Sequence, residues 1–148
     1  MKLTSVFNDS EEIPLKYTTD GEDINPPLNI SEVPEDTKSL ALIIDDPDAV
    51  SRNSWVHWVV WNISPETTKI EEGDVPKGAI EGMNDFRRKS YGGPAPPSGR
   101  HRYFFKLYAL DNKINLSNGA GKEDVEKAME GHIIEETRLI GTYTRKSK

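Results

Sequence analysis

The chain has 148 residues, the size of one ordinary domain, and can bury a substantial apolar core without a metal or a disulfide. It contains no cysteine, which excludes disulfides, thiolate catalysis and cysteine-ligated metal centres. Because 25 acidic residues outnumber 19 basic ones, the net charge of −6 argues against a nucleic-acid backbone as the main partner. We therefore expect a single domain over residues 1–148 and no nucleic-acid partner.

The start of the chain, Met1-Lys2-Leu3-Thr4, leads into no apolar stretch of signal-peptide length. The longest apolar runs are too short to cross a bilayer. These features predict a cytoplasmic protein without stable membrane insertion.

Ten prolines and eleven glycines interrupt the chain at short intervals, and most apolar runs between them have the length of strands. This pattern predicts a mainly β fold with added helix. Short edge strands are predicted over residues 1–7 and 13–17, and a closing strand over residues 139–144. The predicted central strands are residues 40–45, 55–63 and 102–111.

Asp46-Pro47-Asp48 directly follows the predicted strand of residues 40–45. A carboxylate at the edge of an apolar core must be hydrogen-bonded, paired or protonated, because leaving it alone costs on the order of several kcal/mol. Pro47 favours an extended segment, which places Asp46 and Asp48 on one face and Asp45 on the other. The segment is either an acidic turn or part of a site.

Residues 55–61 alternate so that both faces of the strand are apolar, with His57 as the exception. A lone buried histidine is commonly satisfied by a backbone carbonyl. The two strands flanking the loop of residues 49–54 are expected to be antiparallel neighbours, however, and His57 could then approach Asp46 or Asp48.

Residues 91–103, with the sequence YGGPAPPSGRHRY, cannot form a helix. The glycines allow close backbone approach to a ligand, and the prolines hold the loop rigid. The segment lacks the Lys-Ser/Thr ending of a phosphate-binding P-loop. We predict that it forms one wall of a pocket, with His101 and Tyr103 on the same face of the strand that follows.

The apolar positions Val125, Ala128, Met129 and Ile133 follow helical spacing. They predict an amphipathic helix from residue 122 to about residue 136. His132 is interpreted as a capped or surface histidine.

The sequence resembles the phosphatidylethanolamine-binding protein family, also called Raf kinase inhibitor protein-like, and is closest to its short bacterial and archaeal branch. Four segments in the family's order carry the resemblance: Asp46-Pro47-Asp48-Ala49, Trp55-Val56-His57-Trp58, Tyr91-Gly92-Gly93-Pro94 and His101-Arg102-Tyr103. The turn Asn84-Asp85-Phe86 is a further match. The chain departs from the pattern at Val50, where the family has proline, which affects the expected course of the loop before Ser54.

The resemblance implies an antiparallel β-sandwich with peripheral short helices and one C-terminal amphipathic helix. It also implies a small pocket for phosphate-type anions at the strand ends. The ligand-binding residues that it implies are Asp46, Pro47, Asp48, Trp55, His57, Tyr91, Gly92, Gly93, Pro94, His101 and Tyr103.

An anion in a pocket with two carboxylates needs compensating donors. We expect the carboxylates to raise the pKa values of His57 and His101 and so to keep both rings protonated. Backbone N–H groups of Gly92 and Gly93 are expected to add further donors.

Three classes of function stay open. Binding of a small anionic or phosphorylated ligand, such as a phospholipid head group, is favoured. The resemblance also implies a regulator that inhibits a kinase or a serine protease. A weak hydrolase using Asp and His is the third class, although no serine lies in a nucleophile elbow.

A metal site built from Asp46, Asp48, His57 and His101 ranks below these three classes, and we predict neither a metal nor a cofactor. An exposed strand edge leaves a homodimer open.

Overall fold

The computed structural model of the chain describes residues 1–49 and 54–145. The strands are β1 (Lys2–Thr4), β2 (Glu11–Glu12), β3 (Leu28–Ser31), β4 (Ser39–Asp46), β5 (Trp55–Ile63), β6 (Lys69–Ile70), β7 (Ile80–Glu81), β8 (Arg100–Leu110) and β9 (Ile133–Thr144). A 3-10 helix (Leu15–Tyr17) and helix α1 (Lys122–Met129) complete the described elements. No helix among them is long and apolar enough to span a bilayer.

The strands form two sheets, which confirms the predicted mainly β sandwich. The larger sheet has the strand order β2-β9-β8-β4-β5-β7, and the smaller has the order β1-β3-β6. Neighbouring strands are antiparallel, except that the two residues of β2 pair in parallel with β9. Because β4 is antiparallel to both β5 and β8, the C-terminal end of β4 lies next to the N-terminal ends of β5 and β8, at one end of the large sheet.

The large sheet is apolar on both faces because β4 and β5 are buried along almost their whole length. On one face, residues such as Leu42 and Phe105 pack against the small sheet. On the other face, Ile43 and Trp61 pack with Val125 of α1. Burial on both faces explains why these strands read as continuous apolar runs in the sequence.

Helix α1 ends earlier than predicted. It stops at Met129, and the chain turns through Gly131, which has a φ of 79°, before β9 begins at Ile133. Glycine adopts this left-handed conformation without steric cost, so the turn ends the helix. Ile133 therefore belongs to the closing strand, which is longer than the predicted residues 139–144.

The prediction of a strand over residues 13–17 is also wrong. The N–H of Tyr17 donates to the carbonyl of Pro14, which begins the 3-10 turn. Proline has no N–H to give to a strand ladder, so the chain turns at this point. The strand predicted over residues 1–7 is confined to β1.

Candidate ligand-binding site

A cavity of about 330 Å³ lies where the end of β4 meets the starts of β5 and β8. Five of the predicted site residues line it, namely Asp46, Trp55, His57, His101 and Tyr103. The rest of the described lining consists of Ala49, Phe86, Ala95, Pro96 and Pro97. Val50, where the chain departs from the family's pattern, lies outside the described residues, so the expected change in the course of its loop stays a prediction.

Asp46 and His101 form a buried hydrogen-bonded pair in the cavity wall. His101 Nδ1 lies 2.6 Å from Asp46 Oδ2, and the backbone N–H of Asp48 donates to Asp46 Oδ1 at 2.7 Å. Asp46 is only 4% exposed. An ionised carboxylate can only accept, so Nδ1 of His101 carries the shared hydrogen and its Nε2 remains for other partners.

Pro47 and Asp48 do not line the cavity. Both oxygens of Asp48 accept from the Arg102 guanidinium at 2.9 Å, and one also accepts from the Arg102 backbone N–H. These hydrogen bonds hold the pKa of Asp48 below its ordinary value, although partial burial acts in the opposite direction. Asp48 therefore secures the start of β8 from outside the cavity.

His57 reaches the cavity through a β-bulge. Ile44 of β4 pairs with Trp58, while the next residue, Asp45, pairs with Val56, so His57 has no partner on β4. A bulge of this kind shifts the alternation of side chains along a strand. Strict alternation along residues 55–61 predicts that His57 shares a face with Val59 and Trp61, and this prediction is wrong, because Val59 and Trp61 belong to the core beside α1.

His57 bonds to the backbone rather than to a carboxylate. Its Nδ1 lies 2.7 Å from the carbonyl oxygen of Gly92, and the residue is 3% exposed. A carbonyl only accepts, so Nδ1 donates. The expected approach to Asp46 or Asp48 is replaced by this contact and by the pairing of Asp46 with His101.

Burial lowers the pKa of His57 below its ordinary value, and the Gly92 carbonyl and the charge of Asp46 oppose this effect without reversing it. The expectation of a raised pKa is wrong for His57. Because its ordinary value is 6.5, the ring is neutral at pH 7. With Nδ1 protonated, Nε2 of His57 is a hydrogen-bond acceptor.

The Tyr103 hydroxyl is buried and has no hydrogen-bond partner among residues 1–49 and 54–145. The Tyr103 ring lies between the two histidines, with centroids 5.2 Å from His57 and 6.5 Å from His101. Burial raises the pKa of Tyr103, and the charges of Asp46 and Asp48 raise it further. The hydroxyl thus stays protonated and can donate.

The loop that begins at Tyr91 and precedes β8 supports the cavity through its backbone hydrogen bonds. The Gly92 N–H donates to the carbonyl of His57, and the Gly93 N–H donates to Asp23 Oδ1 at 2.7 Å. Both amides are therefore already engaged, which contradicts their expected role as donors to a ligand.

Two further contacts anchor the same loop. The carbonyl of Pro94 accepts from Thr19, and the Tyr91 hydroxyl donates to the carbonyl of Tyr17. These contacts position residues 95–97 as a wall.

Phe86 lines the cavity although it was not among the predicted ligand-binding residues. The buried Asn84 side chain accepts from the Phe86 N–H at 2.9 Å and donates to the carbonyls of His57 and Ser90. The Phe86 ring then packs edge-on against Trp55 and His57. The only sequence signal for Phe86 was its place in the Asn84-Asp85-Phe86 turn.

Asp45 lies on the opposite side of β4 from Asp46, as the alternation predicted. Its Oδ2 accepts from Lys122 at 2.7 Å, from Lys106 at 3.1 Å and from Ser54 at 3.3 Å. Asp45 is 1% exposed, and its Oδ1 has no partner in the described part of the chain. This cluster joins α1, β8 and the start of β5 to the end of β4.

The cavity as a whole offers both donors and acceptors. Tyr103 can donate, neutral His57 can accept through Nε2, and Nε2 of His101 donates when that ring is charged. No lysine or arginine is part of the described lining. Within those same residues, no group of three His, Asp or Glu side chains is placed to hold a metal ion.

The close packing of the Gly93 backbone gives a test of the wall. A Cβ at this position would lie 2.5 Å from the Tyr17 carbonyl oxygen and 2.7 Å from Asp23 Oδ1. Gly93→Ala is expected to lower the free energy of unfolding by roughly 1–3 kcal/mol, as other overpacking changes do. Urea unfolding measures this loss of stability. Gly119→Ala is the control, since a Cβ at Gly119 meets nothing within 4 Å. Equal losses in the two variants would contradict the packing described.

The chain matches the sequence model of the phosphatidylethanolamine-binding protein family over residues 3–144. A UPF0098 protein of Methanothermobacter thermautotrophicus is 54% identical over 147 residues, covering 96% of this chain and 97% of the relative. A UPF0098 protein of Pyrococcus horikoshii is 49% identical over 155 residues, covering 99% of this chain and 77% of the relative.

Two crystal structures have a similar fold. One is a phosphatidylethanolamine-binding protein homolog of Chlamydia trachomatis, with a TM-score of 0.93, 41% identity and 97% coverage of both chains. The other is Escherichia coli YbcL, a member of the mammalian phosphatidylethanolamine-binding protein family, with a TM-score of 0.91, 30% identity and 98% coverage of both chains. Sequence and fold therefore agree that the chain belongs to the phosphatidylethanolamine-binding protein family.

Proposed function

We propose that this protein binds a small anionic or phosphorylated ligand, of the phosphate or phospholipid head-group type, in the cavity lined by Asp46, His57, His101 and Tyr103. The Tyr103 hydroxyl carries the proposal, because it is a buried, protonated donor whose partner is missing from the described residues. Leaving a buried donor unsatisfied costs roughly 1–3 kcal/mol, and an anionic oxygen would satisfy it. Membership of a family that binds phospholipid and anion ligands supports the same ligand class.

The carboxylate of Asp46 does not prevent this role. Its two oxygens accept from His101 and from the Asp48 N–H, so the lone pairs facing those donors are occupied. When the His101 ring is charged, the pair has no net charge, and Nε2 of His101 also donates. An anion in the cavity would therefore meet donors from His101 and Tyr103.

Tyr103→Phe separates ligand binding from folding. Removing the hydroxyl deletes an unsatisfied buried group, so the free energy of unfolding is expected to stay the same or to rise. The affinity for O-phosphorylethanolamine is expected to fall about tenfold or more, because a hydrogen bond to a charged group contributes about 1.5–3 kcal/mol. Isothermal titration calorimetry measures the affinity.

Tyr108→Phe is the matched control, since Tyr108 packs in the core on the other side of the sheet. This variant should bind the probe like the wild type. If wild-type protein shows no binding of O-phosphorylethanolamine or inorganic phosphate, or if both tyrosine variants bind equally well, the proposed function is wrong.

A further inference from the structure

The cavity has more apolar wall than a bare phosphate can cover. Four polar side chains form one contiguous group, in which Tyr103 touches both histidines and His101 touches Asp46. The other six described lining residues are apolar: Ala49, Trp55, Phe86, Ala95, Pro96 and Pro97. The cavity thus has a polar part and a larger apolar part.

The size of the cavity points the same way. Its volume of about 330 Å³ lies at the lower end of cavities that enclose small organic ligands. It has room for on the order of ten water-sized groups, at about 30 Å³ each. A phosphate has only five heavy atoms. A phosphate alone would therefore leave the surfaces of Trp55 and Phe86 against water.

The charges around the cavity favour a ligand with one negative charge. The described lining has no lysine or arginine, and its Asp46–His101 pair has no net positive charge. His57 is neutral at pH 7. Desolvating a second negative charge in such a cavity is costly because no cation of the described lining compensates it.

Three arginines near the lining are paired with carboxylates. Arg102 binds Asp48, Arg88 beside Phe86 lies 3.9 Å from Asp23, and Arg145 lies 3.3 Å from Asp20. Each of these cations already faces a carboxylate, which leaves less positive charge for a dianionic ligand.

We propose that the cavity selects a singly charged phosphate ester that carries an aryl or alkyl group, and that it discriminates against the doubly charged form of the same head group. This inference rests on the proposed function and specifies the ligand class for that site. In the singly charged monoester, the P–OH group donates to His57 Nε2, and the other oxygens accept from Tyr103 and His101. The apolar group packs on Trp55, Phe86 and Pro96.

Two phenyl esters test the charge preference. Phenyl phosphate changes from one negative charge to two near pH 6, whereas methyl phenyl phosphate keeps a single charge. Their association constants are measured by calorimetry at pH 5 and pH 8. Because both esters bind the same protein, their ratio cancels any histidine titration that affects the two esters equally. The ratio of phenyl phosphate to methyl phenyl phosphate is expected to fall at least tenfold from pH 5 to pH 8. About ninetyfold is the limit if only the monoanion binds, since its share drops from about 90% to about 1%.

Methyl phosphate tests the apolar part. At pH 5, phenyl phosphate is expected to bind at least tenfold more tightly than methyl phosphate, and Trp55→Ala should reduce this advantage. A constant or rising phenyl ester ratio overturns the charge preference, and equal affinities for phenyl and methyl phosphate overturn the apolar preference. Either result can occur while O-phosphorylethanolamine still binds, in which case the proposed function stands. If none of the phosphates binds, both proposals fail.

Discussion

Replacing Asp45 with alanine is expected to lower the free energy of unfolding by about 3 kcal/mol, because the change leaves a buried cluster of charges without its anion. Asp45 is 1% exposed and receives the ammonium groups of Lys106 and Lys122 on one oxygen. Both lysine side chains are themselves largely buried, at 29% and 19% exposure. Urea unfolding monitored by tryptophan fluorescence measures the loss.

Asp48 provides the matched control three residues further along the chain. Its bond to Arg102 has better geometry, with both carboxylate oxygens engaged, but the Arg102 side chain is 53% exposed. Water and salt screen such a pair, so Asp48→Ala should lose less than a third as much stability as Asp45→Ala. Comparable losses would mean that burial of Asp45 does not govern the stability of this sheet edge.

Acid is expected to destabilise the protein through His57. Burial lowers the pKa of His57 in the folded state, so the unfolded chain takes up a proton more readily. Stability is therefore unaffected above about pH 6.5 and falls as pH falls below that value, until the folded pKa is reached. The maximum slope is about 1.4 kcal/mol per pH unit, which limits the loss to about 2 kcal/mol between pH 6.5 and pH 5.

Urea unfolding of His57→Gln at a series of pH values measures this contribution, since glutamine does not titrate. In this variant, the free energy of unfolding should fall much less between pH 6.5 and pH 5 than it does in the wild type. His132→Gln, at a half-exposed residue, should keep the decline. Asp48 does not complicate this window, because its lowered pKa affects stability only below the ordinary aspartate value near 3.8. A wild-type decline that persists in His57→Gln would rule out His57 as its source.

The large sheet was predictable because its strands carry strong local signals. The strand predicted over residues 55–63 coincides with β5, since its β-branched and aromatic residues favour strands. The end of α1 was not predictable from spacing alone. Ile133 continues the helical period of Val125 and Met129, yet Gly131 turns the chain between them. The turn depended on backbone conformation that apolar spacing does not report.

The site was predictable only where a residue follows directly from its own strand. Asp46 and Tyr103 lie where alternation along β4 and β8 puts them. The position of His57 depends on a bulge against β4, and that of Phe86 depends on hydrogen bonds to Asn84. The partners of His57 and His101 likewise follow from three-dimensional neighbours. Contacts with segments distant in the sequence decided the partners of both histidines, and no local pattern encodes them.

The wall formed by Ala95, Pro96 and Pro97 has a consequence for the kinetics of association. Thr19 and Asp23 hold the preceding residues, and proline fixes the backbone φ, so the wall is ordered by folding rather than by a ligand. Ordering of this wall then adds no slow step to ligand entry. Differences in affinity among ligands should therefore appear mainly in their dissociation rate constants and much less in their association rate constants.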